Sequence, residues 1–139
     1  FIVGLGDNIY ECGVKSVLDP QFKEKFEKPY KKIDKDFYMC LGNHDYSYPE
    51  GCGPEYAESP QHQIEYSKIS KKWILPNKYY YYRHSAGKKC DVDFFVMDTN
   101  INRMTKEESS KQMKFLVDIM IITDFGYMKM QILITLTIL

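Results

Sequence analysis

Arginine is nearly missing from this chain: of its 19 basic residues only Arg83 and Arg103 are arginines. The guanidinium fork is the usual bidentate ligand of phosphate and base edges, so its scarcity argues against a site built on guanidinium groups. Net charge is missing too. The 19 basic residues are matched by 19 acidic ones, which removes the bulk field that draws a protein to nucleic acid or to an anionic membrane. No nucleic-acid partner is expected. The apolar stretch from Ile119 to Leu139 is interrupted by Asp124, Lys129 and Gln131. A spanning helix needs about 20 mostly apolar residues, so no membrane insertion is read. Internal repeats, low-complexity segments and Gly/Ser linkers are also lacking, which excludes solenoids and flexible tandem architectures.

The four cysteines form no C-x-x-C pair and no zinc-ribbon spacing. Cys40 sits in an apolar strand pattern and reads as a buried thiol. Cys52 and Cys90 lie in loop-like sequence and could be bridged in a secreted protein, because connectivity does not follow from spacing. There is no N-x-S/T sequon. The compartment stays open on these grounds.

What remains is an ordinary globular composition, 44% hydrophobic and 27% charged over 139 residues, which fits one domain. Strand and helix patterns alternate, and that favours an α/β layered fold. Phe1 to Gly6 is a continuous apolar run suited to a strand covered on both faces. Asp19-Pro20 opens a helix, with Asp as N-cap and Pro at the first helical position. Phe22, Phe26 and Tyr30 form its core stripe, and Pro29 ends or kinks it. Phe37 to Leu41 is a second buried strand, and a loop from Tyr46 to Pro60 follows the residues after it. Gln61 to Lys72 reads as a polar helix with Ile64 and Ile69 on its apolar side. Tyr79 to Arg83 and Asp93 to Asp98 read as strands. Thr105 and Glu108 make a capping box for a helix whose buried face is Met113, Leu116, Val117 and Met120. After Ile122 both periods are lost.

Two motifs carry chemistry: Gly6-Asp7-Asn8-Ile9-Tyr10 and Gly42-Asn43-His44-Asp45. Each leaves the end of a buried strand, where ligands bind in open α/β sheets. Singly, Asp7 is a turn residue, Tyr10 a core phenol and His44 a structural hydrogen-bonder. Together, at two successive strand ends, a carboxylate, a phenol and an amide oxygen are hard donors suited to metal ions.

The strings GDNIY and GNHD resemble the metallophosphoesterase superfamily, and specifically its purple acid phosphatases; the tyrosine of the first motif points to that subfamily. QIEYSKISKKW, from Gln63 to Trp73, resembles the segment after GNHD in the small, tartrate-resistant type, and Phe94 to Thr99 resembles that family's strand before its metal-ligand region. The resemblance implies part of a four-layer α/β/β/α sandwich with mixed sheets over residues 1–118, followed by an out-of-register apolar tail over 119–139. It implies a dinuclear centre, Fe3+ with Fe2+, Zn2+ or Mn2+. Asp7 matches the bridging carboxylate, Tyr10 the phenolate on the ferric ion, and Asn43 the amide ligand of the divalent ion. His44 matches the histidine that contacts substrate phosphate and protonates the leaving group, with Asp45 orienting it. The implied activity is acid hydrolysis of phosphate monoesters, in a secreted or lysosomal/vacuolar setting. A non-catalytic scaffold on the same fold is the alternative, and a divergent nucleotidase or phosphodiesterase a third reading.

The departures are specific. The family pattern has an Asp in a D-x-G motif one strand before Asp7, and three histidines downstream, two of them in G-H-x-H. After His44 these residues offer only His62 and His84, in other contexts. His62 is expected to face solvent and His84 to end the Tyr-rich strand. Residues 1–139 alone are therefore not expected to be a competent phosphatase.

Overall fold

The computed structural model describes residues 1–47, 51–85, 87, 91–123 and 129–134, with the backbone alone for 123 and 129–134. β1 (Ile2–Gly4), β2 (Phe37–Met39) and β3 (Trp73–Ile74) form one sheet, parallel throughout, in the order β1-β2-β3. β4 (Tyr80–Ser85), β5 (Asp91–Val96) and β6 (Lys129–Ile134) form the other, with β4 antiparallel and β6 parallel to β5. The helices are α1 (Pro20–Phe22), continuing as a π turn over Lys23–Glu27, α2 (Ser59–Tyr66) and α3 (Lys106–Thr123).

A parallel sheet is covered on both faces, and the aromatics show how. On one side Phe26 meets Phe37 edge-on at 5.1 Å, and Phe22 of α1 stacks on Tyr66 of α2 at 3.7 Å. On the other side Tyr38 of β2 stacks on Tyr82 of β4 at 3.9 Å, and Tyr82 stacks on Phe94 at 4.7 Å. The buried Tyr80 hydroxyl donates to the Met39 carbonyl at 2.8 Å and ties the two sheets together. α3 covers the far face, where Phe115 meets Tyr79 at 5.1 Å. The order is helix, sheet, sheet, helix, as the resemblance implied. Register does the functional work: Gly4 lies opposite Met39, so the chains leaving β1 and β2 emerge side by side at one edge.

Several elements differ from the sequence reading for local reasons. Asp19 caps α1, accepting from the Gln21 amide at 2.9 Å, and the helix ends before Pro29 as expected. The π turn, however, alters the helical phase, and Tyr30, still packed on Phe26 at 5.6 Å and Phe37 at 5.0 Å, is left 39% exposed. α2 stops at Tyr66 rather than Lys72, so Ile69 falls outside it, exposed, and Gln63 and Tyr66 take the buried side. The Ser70 hydroxyl accepts the Trp73 amide at 3.2 Å and diverts the chain into β3, a strand too short to show a period. His62 is half-buried rather than solvent-facing.

On α3 the capping box is present: Glu108 N donates to Thr105 Oγ1 at 3.1 Å and Thr105 N to Glu108 Oε2 at 2.8 Å. Its apolar face is a correction. Met113, Val117 and Met120 are exposed, and the buried residue is Gln112. The Gln112 amide is clamped to the main chain of Asp98, accepting from its N at 2.9 Å and donating to its O at 2.8 Å. Two hydrogen bonds to a buried strand end set the helix's rotation against its apolar stripe. α3 runs unbroken across residue 118 to Thr123, and β6 pairs with all six residues of β5.

Cys52 bonds to Cys12, not to Cys90, which lies outside the described residues. The parallel register of β1 and β2 sets the loop after the first motif against the loop after the second, which spacing alone could not show. The bridge closes a separation of 40 residues. Loop closure of that size is worth about 4 kcal/mol in the chain-entropy model. Cys40 is buried, as expected.

Asp19 gives one test of local stability. Burial raises its pKa, but hydrogen bonds from the Lys15 and Gln21 amides outweigh that and leave it below the usual 3.8. A carboxyl with a depressed folded pKa contributes stability above its unfolded pKa and loses it as pH falls through the folded one. Asp19→Ala is expected to cost about 1 kcal/mol near neutral pH and less in strong acid, read as the urea midpoint against pH. An equal cost at both pH values would show that the ionised cap contributes nothing.

Candidate metal centre

The site is built where β1 and β2 end. Gly6 (φ 93°) and Asp7 (φ 50°) are both left-handed, a tight reversal that glycine and aspartate tolerate best. It turns the buried Asp7 carboxylate toward the second motif. Oδ1 accepts from the His44 amide at 3.1 Å, and Oδ2 from the Tyr10 hydroxyl at 3.0 Å. The Tyr10 and His44 rings lie 4.4 Å apart. His44 Nδ1 sits 2.7 Å from the Glu11 carbonyl; a carbonyl only accepts, so Nδ1 carries the proton and Nε2 is left for other chemistry. The hydrogen bond to Asp7, followed by burial and charge repulsion, raises the Tyr10 phenol's pKa.

Gly42 makes the approach possible. A Cβ there would lie 2.2 Å from Asp7 Oδ1 and 2.3 Å from its main-chain N. Backbone cannot yield as a flexible side-chain tip does. Gly42→Ala is expected to cost about 2 kcal/mol and to displace Asp7, checked by urea unfolding and a crystal structure. An unmoved Asp7 in a variant of unchanged stability would contradict this packing.

Asp45 holds the two motifs together. It is fully buried and accepts from the amides of Asn8 (3.0 Å), Ile9 (3.3 Å) and Gly42 (2.9 Å), and from the Gln63 side chain (2.9 Å). Burial pushes its pKa up to about 6, against the downward pull of those donors. Gln63, also fully buried, in turn accepts from Asn8 Nδ2 at 3.2 Å. A second knot lies beside it: the Tyr46 hydroxyl donates to Asp98, and Asp98 also accepts from the Asn100 amide at 3.0 Å. Burial, then the Asp98 charge, pushes the Tyr46 phenol's pKa up.

The structure thus brings together Asp7, Tyr10 and His44 by direct contact, and Asn43 through its neighbour His44. His62 and His84 stay apart from them: His62 lies beside Glu65 on α2, and His84 packs on Phe1 at 4.6 Å. Sequence reasoning missed Asn8, Gln63, Tyr46 and Asp98 as supports. The signal available for Gln63 was a polar residue in the apolar phase of α2.

The donors can be tested against a metal. Among the described residues no group of three or more His, Cys, Asp or Glu could hold one. The donors here are of another kind, a carboxylate, a phenol and an amide oxygen. Asn43 Oδ1 is buried and has no hydrogen-bond partner. Leaving such an oxygen unsatisfied costs about 1–3 kcal/mol, which a cation would relieve. The 3.0 Å between the Asp7 and Tyr10 oxygens also suits two ligands of one cation, since bonds of about 2.1 Å at right angles place their oxygens about 3 Å apart. These three residues fit a hard metal ion.

The calcineurin-like phosphoesterase family model matches residues 1–127. The chain belongs to that family. It is similar to tartrate-resistant acid phosphatase type 5 of Oryctolagus cuniculus, 34% identical over 103 residues, which are 71% of this chain and 29% of that protein. The human protein of the same name is 34% identical over 71% of this chain and 29% of that protein, and the pig protein 34% identical over 71% of this chain and 27% of that protein. Purple acid phosphatase 7 of Arabidopsis thaliana is 31% identical over 72% of the chain and 27% of the relative. The chain therefore spans under a third of the length of these relatives. Among solved structures, GAP50, the anchor in the inner membrane complex of Plasmodium, shares the fold at a TM-score of 0.69 and 24% identity, over 96% of this chain and 44% of that one. The chain is a phosphoesterase-family domain with acid phosphatase relatives, and that family and those relatives imply a metal centre.

Proposed function

We propose that the full-length phosphoesterase hydrolyses phosphate monoesters in acid at a dinuclear centre, Fe3+ with Fe2+, Zn2+ or Mn2+. The observation that carries this is the buried, unpartnered Asn43 oxygen, next in the chain to the His44 amide that holds Asp7. Asp7 would hold both ions, Tyr10 the ferric one and Asn43 the divalent one. Bound there, the metals supply Lewis-acid polarisation of the phosphoryl group and an activated water.

The chain's own residues do the rest. The Asp45 knot fixes the spacing of the two loops. The Glu11 carbonyl holds His44 in one tautomer and leaves Nε2 to carry a proton to the departing alkoxide. The tie from the His44 amide keeps Asp7 oriented. The other ligands of the family pattern have no counterpart in residues 1–139, so these residues alone are expected to hold metal weakly. The Cys12–Cys52 bridge supports an oxidising compartment, secreted or lysosomal/vacuolar. Among the described residues no helix is long and apolar enough to cross a membrane.

An anchoring role is the second reading, since the Plasmodium anchor GAP50 shares this fold. A scaffold has no need of Asp7, Tyr10, Asn43 and His44 together, which argues for the enzyme. The test is hydrolysis of p-nitrophenyl phosphate by metal-replete, full-length protein. Turnover in acid, insensitive to tartrate, is expected; no turnover above buffer at any pH would favour the anchor.

A further inference from the structure

We propose that the Cys12–Cys52 disulfide is a positioning element of this site, and that a dithiol reductant loosens the site by opening it. The inference rests on the proposed function only for its metal readout. The segment from Tyr10 to Gly13 is an arm laid over His44. Its Tyr10 ring lies 4.4 Å from the His44 ring, its Glu11 carbonyl accepts from His44 Nδ1 at 2.7 Å, and its Cys12 carbonyl accepts from Ser47 Oγ at 3.3 Å.

Little apolar burial holds this arm. Tyr10 is 48% exposed, and Glu11 is exposed beside it. Its far end is anchored: Gly13 N donates to the Ile9 carbonyl at 2.8 Å, and Val14 N to Ser59 Oγ at 2.9 Å. Gly13 (φ +77°) lies so close to Ser59 that a Cβ would come within 2.0 Å of its hydroxyl. At Cys12 the covalent tie is the disulfide, and its partner Cys52 follows the His44–Tyr46 turn in the same loop. The bridge therefore fastens the tyrosine-bearing arm to the loop that carries the histidine.

The bond is also open to attack. Both cysteines are half-buried, and Cys52 lines an open cavity of about 670 Å³. Lys78 and Arg103 line the same cavity, with Glu58 the carboxylate among them. A reductant thiolate attacks one sulfur, forms a mixed disulfide and expels the other cysteine as thiolate. The second reductant thiol then displaces the first. Two electrons and two protons reach Cys12 and Cys52, and the dithiol leaves as its own disulfide.

The experiment compares three forms of the full-length protein: oxidised, reduced with dithiothreitol that is then removed, and the double variant Cys12→Ser/Cys52→Ser. Amide exchange is followed in residues 10–14, 43–47 and 92–96 without metal, and zinc affinity is measured against a chelator. Reduction is expected to speed exchange in 10–14 and 43–47 about tenfold, to leave 92–96 unchanged, and to weaken zinc binding about tenfold. The double variant should match the reduced form and ignore reductant. Unchanged exchange in 10–14 and 43–47 would overturn the proposal. Exchange rising equally in 92–96 would also overturn it, since the bridge would then serve global stability alone. If no form binds zinc while the local exchange still responds, the positioning role stands and the metal reading fails.

Discussion

Asp45→Ala is expected to cost about 4 kcal/mol or more, a large share of the roughly 5–15 kcal/mol that keeps an ordinary domain folded. The carboxylate accepts from three main-chain amides, belonging to Asn8, Ile9 and Gly42, and from the Gln63 side chain. Truncation leaves those donors buried and unpaired, at about 1–3 kcal/mol each before relaxation. Asp45→Asn keeps the shape and one accepting oxygen but turns an NH2 group on amides that themselves donate, so an intermediate loss is expected. Urea unfolding of both variants is the measurement. A loss under about 1 kcal/mol for the alanine variant would show that water or rearrangement satisfies the loops, and that Asp45 does not hold them.

The second large effect concerns Asp7, with the opposite pattern. Asp7→Asn preserves an oxygen for the His44 amide and a side chain of the same size, so stability should change by under about 1 kcal/mol. Under the proposed chemistry it removes the charge that holds both metals. Loss of a residue that only supports a ligand costs about 10–100-fold, so loss of the bridging ligand should lower kcat/KM by about a thousandfold or more. Parallel unfolding and kinetic measurements separate the roles. A variant that is folded and fully active would remove Asp7 from the site.

How much of this was legible in the sequence depended on the range of the interaction. Strands β1, β2, β4 and β5 announced themselves through apolar and aromatic runs. The caps at Asp19 and Thr105 are local devices with fixed offsets, and both were readable. The α3 face was not. Its helical period was correctly seen, but Gln112 is turned inward by the main chain of Asp98, a partner that no periodicity contains. The Cys12–Cys52 pairing likewise depends on the parallel register of two strands far apart in sequence. In the site, the motifs displayed Asp7, Tyr10, Asn43 and His44, while the buried Asn8–Asp45–Gln63 network needed the packed fold to be seen.

The central claim is that the loops after β1 and β2 hold metal through Asp7, Tyr10 and Asn43. The metal content and visible spectrum of the full-length, oxidised protein test it most directly, with Tyr10→Phe measured alongside. The account expects a pair of metal ions per chain, one of them iron, and a visible charge-transfer band that disappears in the folded Tyr10→Phe variant. A protein that binds no metal, or a band that survives Tyr10→Phe unchanged, would contradict it.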